Sequence, residues 1–361
     1  MEVDGVSAGE ILVVNAGSTS LKLNLVDAEE RSESVDAVES VDPGRVAAAA
    51  HRVVHGGPHL REPVLIDAAV HERIFATELL APLHNEPCLA AIDRTRAVLP
   101  GVPEVAVFDT GFHVTIPAEA AVYPVPAQWR EWGVHRYGFH GLSVAWSAER
   151  APAMLDRPAE GLRLVVCHLG GGSSVSAVRD GRSLDNTMGF SPLEGVPMAT
   201  RSGSVDPGAL VYLMRERGLD GEELERALNL ESGLKGLAGG SGDMREVEHA
   251  AAAGDESAAL ALEVFAHRVT AAVAAMAASA GGIDALVFTG GIGEGSAPVR
   301  ERLCDRLRFL GVELDRERNA AAVPDCDVAK DGSPVRALVV RAREDLVAAR
   351  AARGLLRGAE G

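Results

Sequence analysis

Residues 164–178, LVVCHLGGGSSVSAV, limit what this chain can become more than any other stretch. The apolar run Leu164–Cys167 reads as a buried strand that stops at His168 and empties into Gly170, Gly171 and Gly172. Ser173 and Ser174 follow, and a second strand-like run continues through Val175 and Val178. Glycines at a strand end let the backbone approach a ligand. Successive N–H groups beside serine hydroxyls form a natural anion cradle. Taken alone, this loop is equally compatible with an ordinary tight hairpin.

Two echoes change its weight. Ile11–Val14 leads into Asn15, Ala16, Gly17, Ser18, Thr19 and Ser20, and then into the alternating run Leu21–Leu25. Later, Ile283–Thr289 enters a third loop, Gly290, Gly291, Ile292, Gly293, Glu294 and Gly295, followed by a helical pattern. A GxGxxG reading of that third loop is weak by itself, because the Rossmann spacing to a distant acidic residue is missing. Repetition of one grammar at the start and middle of a chain implies a duplicated domain, with the phosphate chain of a ligand held between the halves.

A chain of 361 residues is long enough for two such domains with real cores. Its 35 Lys and Arg against 52 Asp and Glu give a net charge of −17, which disfavours nucleic acid or an anionic membrane as a partner. Hydrophobic content of 47% fits a globular protein. Cys88, Cys167, Cys304 and Cys326 show no CxxC pairing, so neither a zinc site nor a disulfide framework is expected. The acidic N-terminus lacks a signal-peptide pattern, and the most apolar helical stretch, 269–280, reads as too short to span a bilayer. A cytoplasmic location is the expectation.

In chain order, residues 28–45 read as a surface connection. Arg52 then sits inside an apolar run that ends in Gly56-Gly57, and such a charge needs an anionic partner, either a ligand or a structural carboxylate. Residues 81–87 read as a loop entering a helix of about twelve residues. Asp109 lies at the end of the strand Val105–Phe108, where carboxylates are commonly functional. The stretch 133–141, GVHRYGFHG, packs two histidines between glycines, and residues 188–201 form a loop-rich segment ending on Arg201. Asp206-Pro207 supplies an N-cap and first-turn proline. The apolar stripe Leu262, Phe265, Val269, Val273 and Met276 marks a core helix over 256–280. The Arg/Ala-rich C-terminal helix is read as having a solvated basic face.

Taken in order, NAGSTSLK, HRVVHGG, APLHNEP, VFDTGFH, RYGFHG, HLGGGSS, SPLEGVPMATRSGSVDP and FTGGIGEGS resemble the acetate kinase family, over residues 11 to about 350. The resemblance implies an α/β fold of the actin and sugar-kinase type, two ribonuclease-H-like domains with an active-site cleft between them. The expected division is 1–155 plus the helix 346–361 on the acyl side, and 156–345 on the nucleotide side. It further implies the reversible transfer ATP + acetate ⇌ ADP + acetyl phosphate, with Mg²⁺ or alternatively Mn²⁺, by a homodimer.

Residue by residue, the match makes Arg52, Asp109, His140 and Arg201 the catalytic set. Arg52, Val54, Leu83, Phe139 and Pro192 would hold the acyl group. Ser18, Ser20, Lys22, His84, His168, Gly170, Gly172, Asp243, Arg245, Gly291, Ile292 and Gly293 would hold the nucleotide and its phosphates, and Asn15 and Glu344 the metal. Three departures stand out. Gly171 replaces an asparagine of the family pattern, Gly290 an alanine and Gly295 another asparagine. In addition, the stretch between Lys22 and Arg52 is shorter than in the family, so strands of the first sheet are expected to be lost. A propionate kinase, a pyrophosphate-dependent relative and a catalytically dead binding protein are the alternatives.

Overall fold

The computed structural model describes residues 9–17, 21–77 and 82–359, without the side chains of residues 82–84 and 359. Two six-stranded sheets are built on one plan. The first comprises β1 (Glu10–Ala16), β2 (Leu21–Val26), β3 (Ser32–Val35), β4 (Val46–Val53), β5 (Val64–Leu65) and β6 (Glu104–Phe108). Its spatial order is β3-β2-β1-β4-β6-β5. The second comprises β7 (Arg163–Leu169), β8 (Ser173–Arg179), β9 (Arg182–Asn186), β10 (Ala285–Thr289), β11 (Cys326–Asp327) and β12 (Arg336–Val339), in the order β11-β12-β10-β7-β8-β9. In each sheet an antiparallel three-strand meander is extended by two parallel strands and closed by a short antiparallel edge. The echo heard in the loops is therefore a duplication of the whole sheet.

The short connection after Lys22 corrects the reading of residues 28–45 as a mere surface connection. It carries β3, which pairs with β2 from Leu23↔Val35 to Val26↔Ser32, so the first sheet still has six strands. The sequence SESV has no apolar face to announce a strand; an edge position makes none necessary.

The helices of the first half are α1 (Ala68–Phe75), α2 (Pro82–Val98), α3 (Ala118–Ala121), α4 (Ala127–Glu131) and α5 (Gly141–Leu155). Helix α2 starts at Pro82, so the expected loop through Pro87 is its first turns. The second half adds α6 (Pro207–Arg217), α7 (Gly221–Leu230), α8 (Gly233–Ala238), α9 (Met244–Ala252), α10 (Glu256–Ser279), α11 (Gly290–Gly295), α12 (Ala297–Arg306), α13 (Arg316–Ala320) and α14 (Glu344–Ala359). Asp206 caps α6 through the Gly208 N–H, as its position before Pro207 implied.

Helix α10 has 24 residues and is long and apolar enough to cross a membrane, contrary to the short-helix reading. Its stripe Leu262, Phe265, Val269, Val273 and Met276 is buried in the core formed with β7, β8 and β10. Two helices cross over. Val144, Ala148 and Ala151 of α5 pack on the second sheet against Leu164, Val166 and Val287. Leu346, Ala348, Ala349 and Ala352 of α14 return to the first sheet against Ile11, Val13 and Ala50. The basic face of α14 is not simply solvated: Arg350 bridges Glu30 and Glu149, and Arg353 donates to the Val26 carbonyl.

Candidate active site

The carboxyl ends of β1, β4 and β7 face a cleft of about 1210 Å³ between the sheets, lined by Asn15, Lys22, Arg52, His140, His168 and Glu344 among others, with Asp109 and Arg201 just outside that lining. Parallel register sets the acidic wall. Arg52 on β4 lies opposite Val107 of β6, so Asp109, two residues further, comes level with the guanidinium. Arg52 Nε donates to Asp109 Oδ1 at 2.9 Å, Nη2 donates to Oδ2, and Nη1 donates to Asn15 Oδ1 at 3.1 Å. Asn15 Nδ2 in turn donates to Glu344 Oε2 at 3.0 Å, which also lies 3.7 Å from Arg52 Nε.

Burial alone would lift both carboxyls. It does raise Asp109, against the pull of Arg52. Glu344 ends below its ordinary value, because Arg52, His168 and the Asn15 amide outweigh its burial. The charge that the sequence marked as needing a partner has two.

Arg201 has none. It is 9% exposed, donates to the Pro192 carbonyl at 2.6 Å, and forms no ion pair among the described residues. Burial first, and the charge of Arg52 second, push it down to about 10. It remains a cation at neutral pH, packed beside a glycine: a Cβ on Gly172 would stand 2.7 Å from Arg201 Nη2 and 3.1 Å from His140 Nε2. A buried guanidinium without a counter-ion, at a site with room only for hydrogen on the adjacent backbone, calls for an anionic ligand.

His140 and His168 stack at 4.0 Å between ring centroids, inclined by 22°. Burial lowers both, His168 to about 4 and His140 well below its ordinary value, with neighbouring His168, Arg52 and Arg201 adding to the fall. Both imidazoles are neutral at pH 7.

The nucleotide set divides. Gly170 and Gly172 form the β7–β8 turn and line the cleft with Gly291. The third loop is not a loop but the short helix α11, whose Gly290 needs its glycine. At φ +79° an added Cβ would meet the Leu169 carbonyl at 2.8 Å. Ile292 and Gly293 lie on the inner side of α11, Ile292 against the second core. Asp243 caps α9 and is paired with the exposed Arg245; neither lines the cleft. Val54 and Phe139 join Tyr137, Met188 and Met198 in a small buried apolar cluster, and the Pro192 carbonyl accepts from Arg201. Ser18 and Ser20 lie outside the described residues, and so do the side chains of Leu83 and His84.

Two residues were missed by the sequence reading. Glu294 Oε1 accepts from Gly290 N at 3.1 Å and from Ala342 N at 2.9 Å, tying α11 to the segment before Glu344. Ser143 bonds His168 Nδ1 at 2.8 Å. Its only signal was its place three residues after His140, in the first turn of the helix that His140 precedes.

The family model described as the Acetokinase family matches residues 35–350. That span holds Arg52, Asp109, His140 and Arg201, but leaves out Asn15 and Lys22. A protein named acetate kinase from Synechococcus sp. is 51% identical over 308 residues, which are 85% of this chain and 76% of that protein. One of the same name from Microcystis aeruginosa is 50% identical over 300 residues, 83% of this chain and 75% of its own length. Among solved structures, a propionate kinase from Francisella tularensis superposes with a TM-score of 0.88 at 35% identity, covering 95% of this chain and 98% of that one. An acetate kinase from Porphyromonas gingivalis gives 0.85 at 32%, covering 97% of this chain and 100% of that one.

Proposed function

The chain belongs to the acetate kinase family, phosphotransferases with a carboxylate acceptor, and on that footing we propose that it transfers the γ-phosphoryl group of ATP to acetate, reversibly and in line. Acetate, with a carboxylic pKa of about 4–5, is already an ionised nucleophile at neutral pH, so no general base is required. The task is to hold two anions together and neutralise charge spreading over the phosphoryl oxygens. The unpaired, buried Arg201 is the observation that carries this reading.

Arg201 and Arg52 would clamp acetate and the transferring group. His140, neutral and beside Gly172, would donate to an equatorial oxygen. Asp109 would orient Arg52 through its two-pronged bond instead of accepting a proton. Lys22, His168, Gly170, Gly172 and Gly291 would cradle the nucleotide phosphates. Asp243 and Arg245, outside the cleft and bonded to each other, would have to exchange that pairing for adenosine. Ser18, Ser20 and His84 belong to the same proposal on sequence grounds alone. Val54, Leu83, Phe139 and Pro192 would enclose the methyl group.

Asn15 and Glu344 offer Mg²⁺ one carboxylate held ionised and one amide oxygen, both hard ligands, provided that the Asn15 amide gives up its bonds to Arg52 and Glu344. Mg²⁺ keeps several waters and takes the rest of its shell from nucleotide phosphates, so a fuller protein cage is unnecessary. Bound there, the ion would neutralise charge on the phosphate chain; Mn²⁺ fits the same ligands.

The experiment is a hydroxamate trap with purified protein, acetate, Mg·ATP and hydroxylamine. Arg201→Ala should lower kcat by about a thousandfold. No acyl hydroxamate from the folded wild-type protein would overturn the proposal. Propionate is the second reading: Met188 and Met198, flexible thioethers, border the acyl cluster and can yield to one more methylene. A higher kcat/KM with propionate than with acetate would favour it.

A homodimer is proposed from α6, which has no buried residue and exposes Val211, Tyr212 and Met214. Sedimentation as a monomer at micromolar concentration would refute it. A cytoplasmic location is proposed from the use of ATP and from four cysteines that form no disulfide.

A further inference from the structure

The stacked imidazoles are fixed by two serines in a crossed arrangement. His140, at the N-cap of α5, points its Nδ1 at Ser174 Oγ of β8, 3.0 Å away. His168, on β7, points its Nδ1 at Ser143 Oγ of α5, 2.8 Å away. Ser174 lies directly opposite His168 in the β7–β8 register, and Ser143 follows His140 by three residues, so each element lends one serine to the other's histidine.

Both serines are fully buried, and neither hydroxyl has another partner among the described residues. For Ser143 the usual helical alternative is blocked. The Phe139 carbonyl four residues back already takes His113 Nε2 at 2.9 Å and Asn186 Nδ2 at 3.1 Å. A buried hydroxyl proton must go to an acceptor, and the only one offered is imidazole Nδ1.

We infer that Ser174 and Ser143 are positioning residues that hold His140 and His168 as neutral tautomers with the proton on Nε2, so that two N–H donors face the cleft in series. The two Nε2 atoms serve different ends of it. His140 Nε2 lies with Arg201 against Gly172, whereas a Cβ on Gly290 would stand 3.2 Å from His168 Nε2. Ser174 therefore acts on the transferring phosphoryl group and Ser143 on the nucleotide phosphates. Burial, which lowers both histidines, keeps the second nitrogen free to accept. The assignment of the two ends rests on the phosphoryl-transfer reading above; the tautomers do not.

The test is long-range ¹H–¹⁵N correlation on the full chain labelled in histidine, with kinetics on Ser174→Ala, Ser143→Ala and the hydroxyl-retaining Ser143→Thr. Both histidines should carry the proton on Nε2 in the wild type, with Nδ1 shifted by an accepted hydrogen bond. Ser174→Ala should remove that shift at His140 and lower kcat on the order of tenfold, with KM for ATP within twofold. Ser143→Ala should do the same at His168 but raise KM for ATP on the order of tenfold at nearly constant kcat, and Ser143→Thr should restore it. A wild-type proton on Nδ1 of either ring overturns the inference, and so does an unchanged Nδ1 signal in the alanine variants. If an alanine variant does not fold, the wild-type spectrum alone decides. A wild type with both protons on Nε2 but no turnover of any carboxylate would refute the proposed function and uphold the tautomers.

Discussion

Gly171 and Gly172 are neighbours in one turn, and the structure separates them sharply. An added Cβ at Gly171 meets nothing within 4 Å, whereas at Gly172 it stands 2.7 Å from Arg201 Nη2 and 3.1 Å from His140 Nε2. Neither glycine has a positive φ, so alanine brings no backbone strain at either. The contact at Gly172 falls about 0.7 Å short of the 3.4 Å at which ordinary van der Waals contact begins. The guanidinium must give way, and its bond to the Pro192 carbonyl at 2.6 Å limits where it can go. Misplacement of a reacting group by 1 Å costs about a hundredfold, so a shift of this size should cost about thirtyfold in kcat. The tip of a long side chain is what moves, so stability should change by less than about 1 kcal/mol. In the hydroxamate assay Gly171→Ala should stay within about twofold of wild type, since nothing is displaced. Gly172→Ala with more than half of wild-type kcat would refute the reasoning, as would equal losses in the two variants.

Three further outcomes follow from the same structure. Arg52→Ala leaves Asp109 buried without its cation and should cost about 3–5 kcal/mol in urea unfolding; Arg52→Ala with Asp109→Asn should recover part of that, and no recovery would deny the pairing. Gly171→Asn returns a side-chain donor to an open position and should lower KM for ATP about fivefold, as one hydrogen bond of about 1 kcal/mol allows; an unchanged KM refutes this. His55, His113 and His168 are each held at about 4 by burial, below the 6.5 of an unfolded chain. The unfolded state therefore binds more protons as pH falls from about 6.5 to 4. The stability these histidines give is complete above that window and lost through it, at up to about 1.4 kcal/mol per pH unit for each. Urea midpoints that stay level between pH 7 and pH 5 would contradict it.

What the sequence disclosed was local. Strand, glycine, hydroxyl, strand is written in consecutive residues, so the β1–β2 pairing, the β7–β8 turn and the strand end at Asp109 were legible. β3 was not, because SESV becomes a strand only by pairing with β2. Nor was α11: glycines make poor helix formers, and this helix is held by side-chain bonds at both ends. The Glu294 side chain takes the Gly290 N–H at its start, and the buried Arg300 takes the Gly293 and Glu294 carbonyls near its end. The same limit applied to the site. Motif matching named Asn15, Arg52, Asp109 and Glu344 separately, but their bonds join residues 57 and 329 positions apart, and nothing in the intervening chain encodes them.

The two crossovers explain why those bonds matter together. Because α14 packs on the first sheet, Glu344 at its start is held with Asn15, Arg52 and Asp109. Because Val144, Ala148 and Ala151 of α5 pack on the second sheet, His140 is held with His168, Ser174 and the β7–β8 turn. The cleft therefore sets one preassembled group, built on Asp109 and Glu344 around Arg52, against one preassembled set of neutral and cationic donors. The joints are short: the Gly141 N–H bond to the Asp109 carbonyl at 2.8 Å, and residues 341–343, whose Ala342 N–H is held by Glu294. A donor set already assembled loses little freedom when the phosphoryl group arrives, which is the condition under which fixed dipoles stabilise spreading charge most effectively.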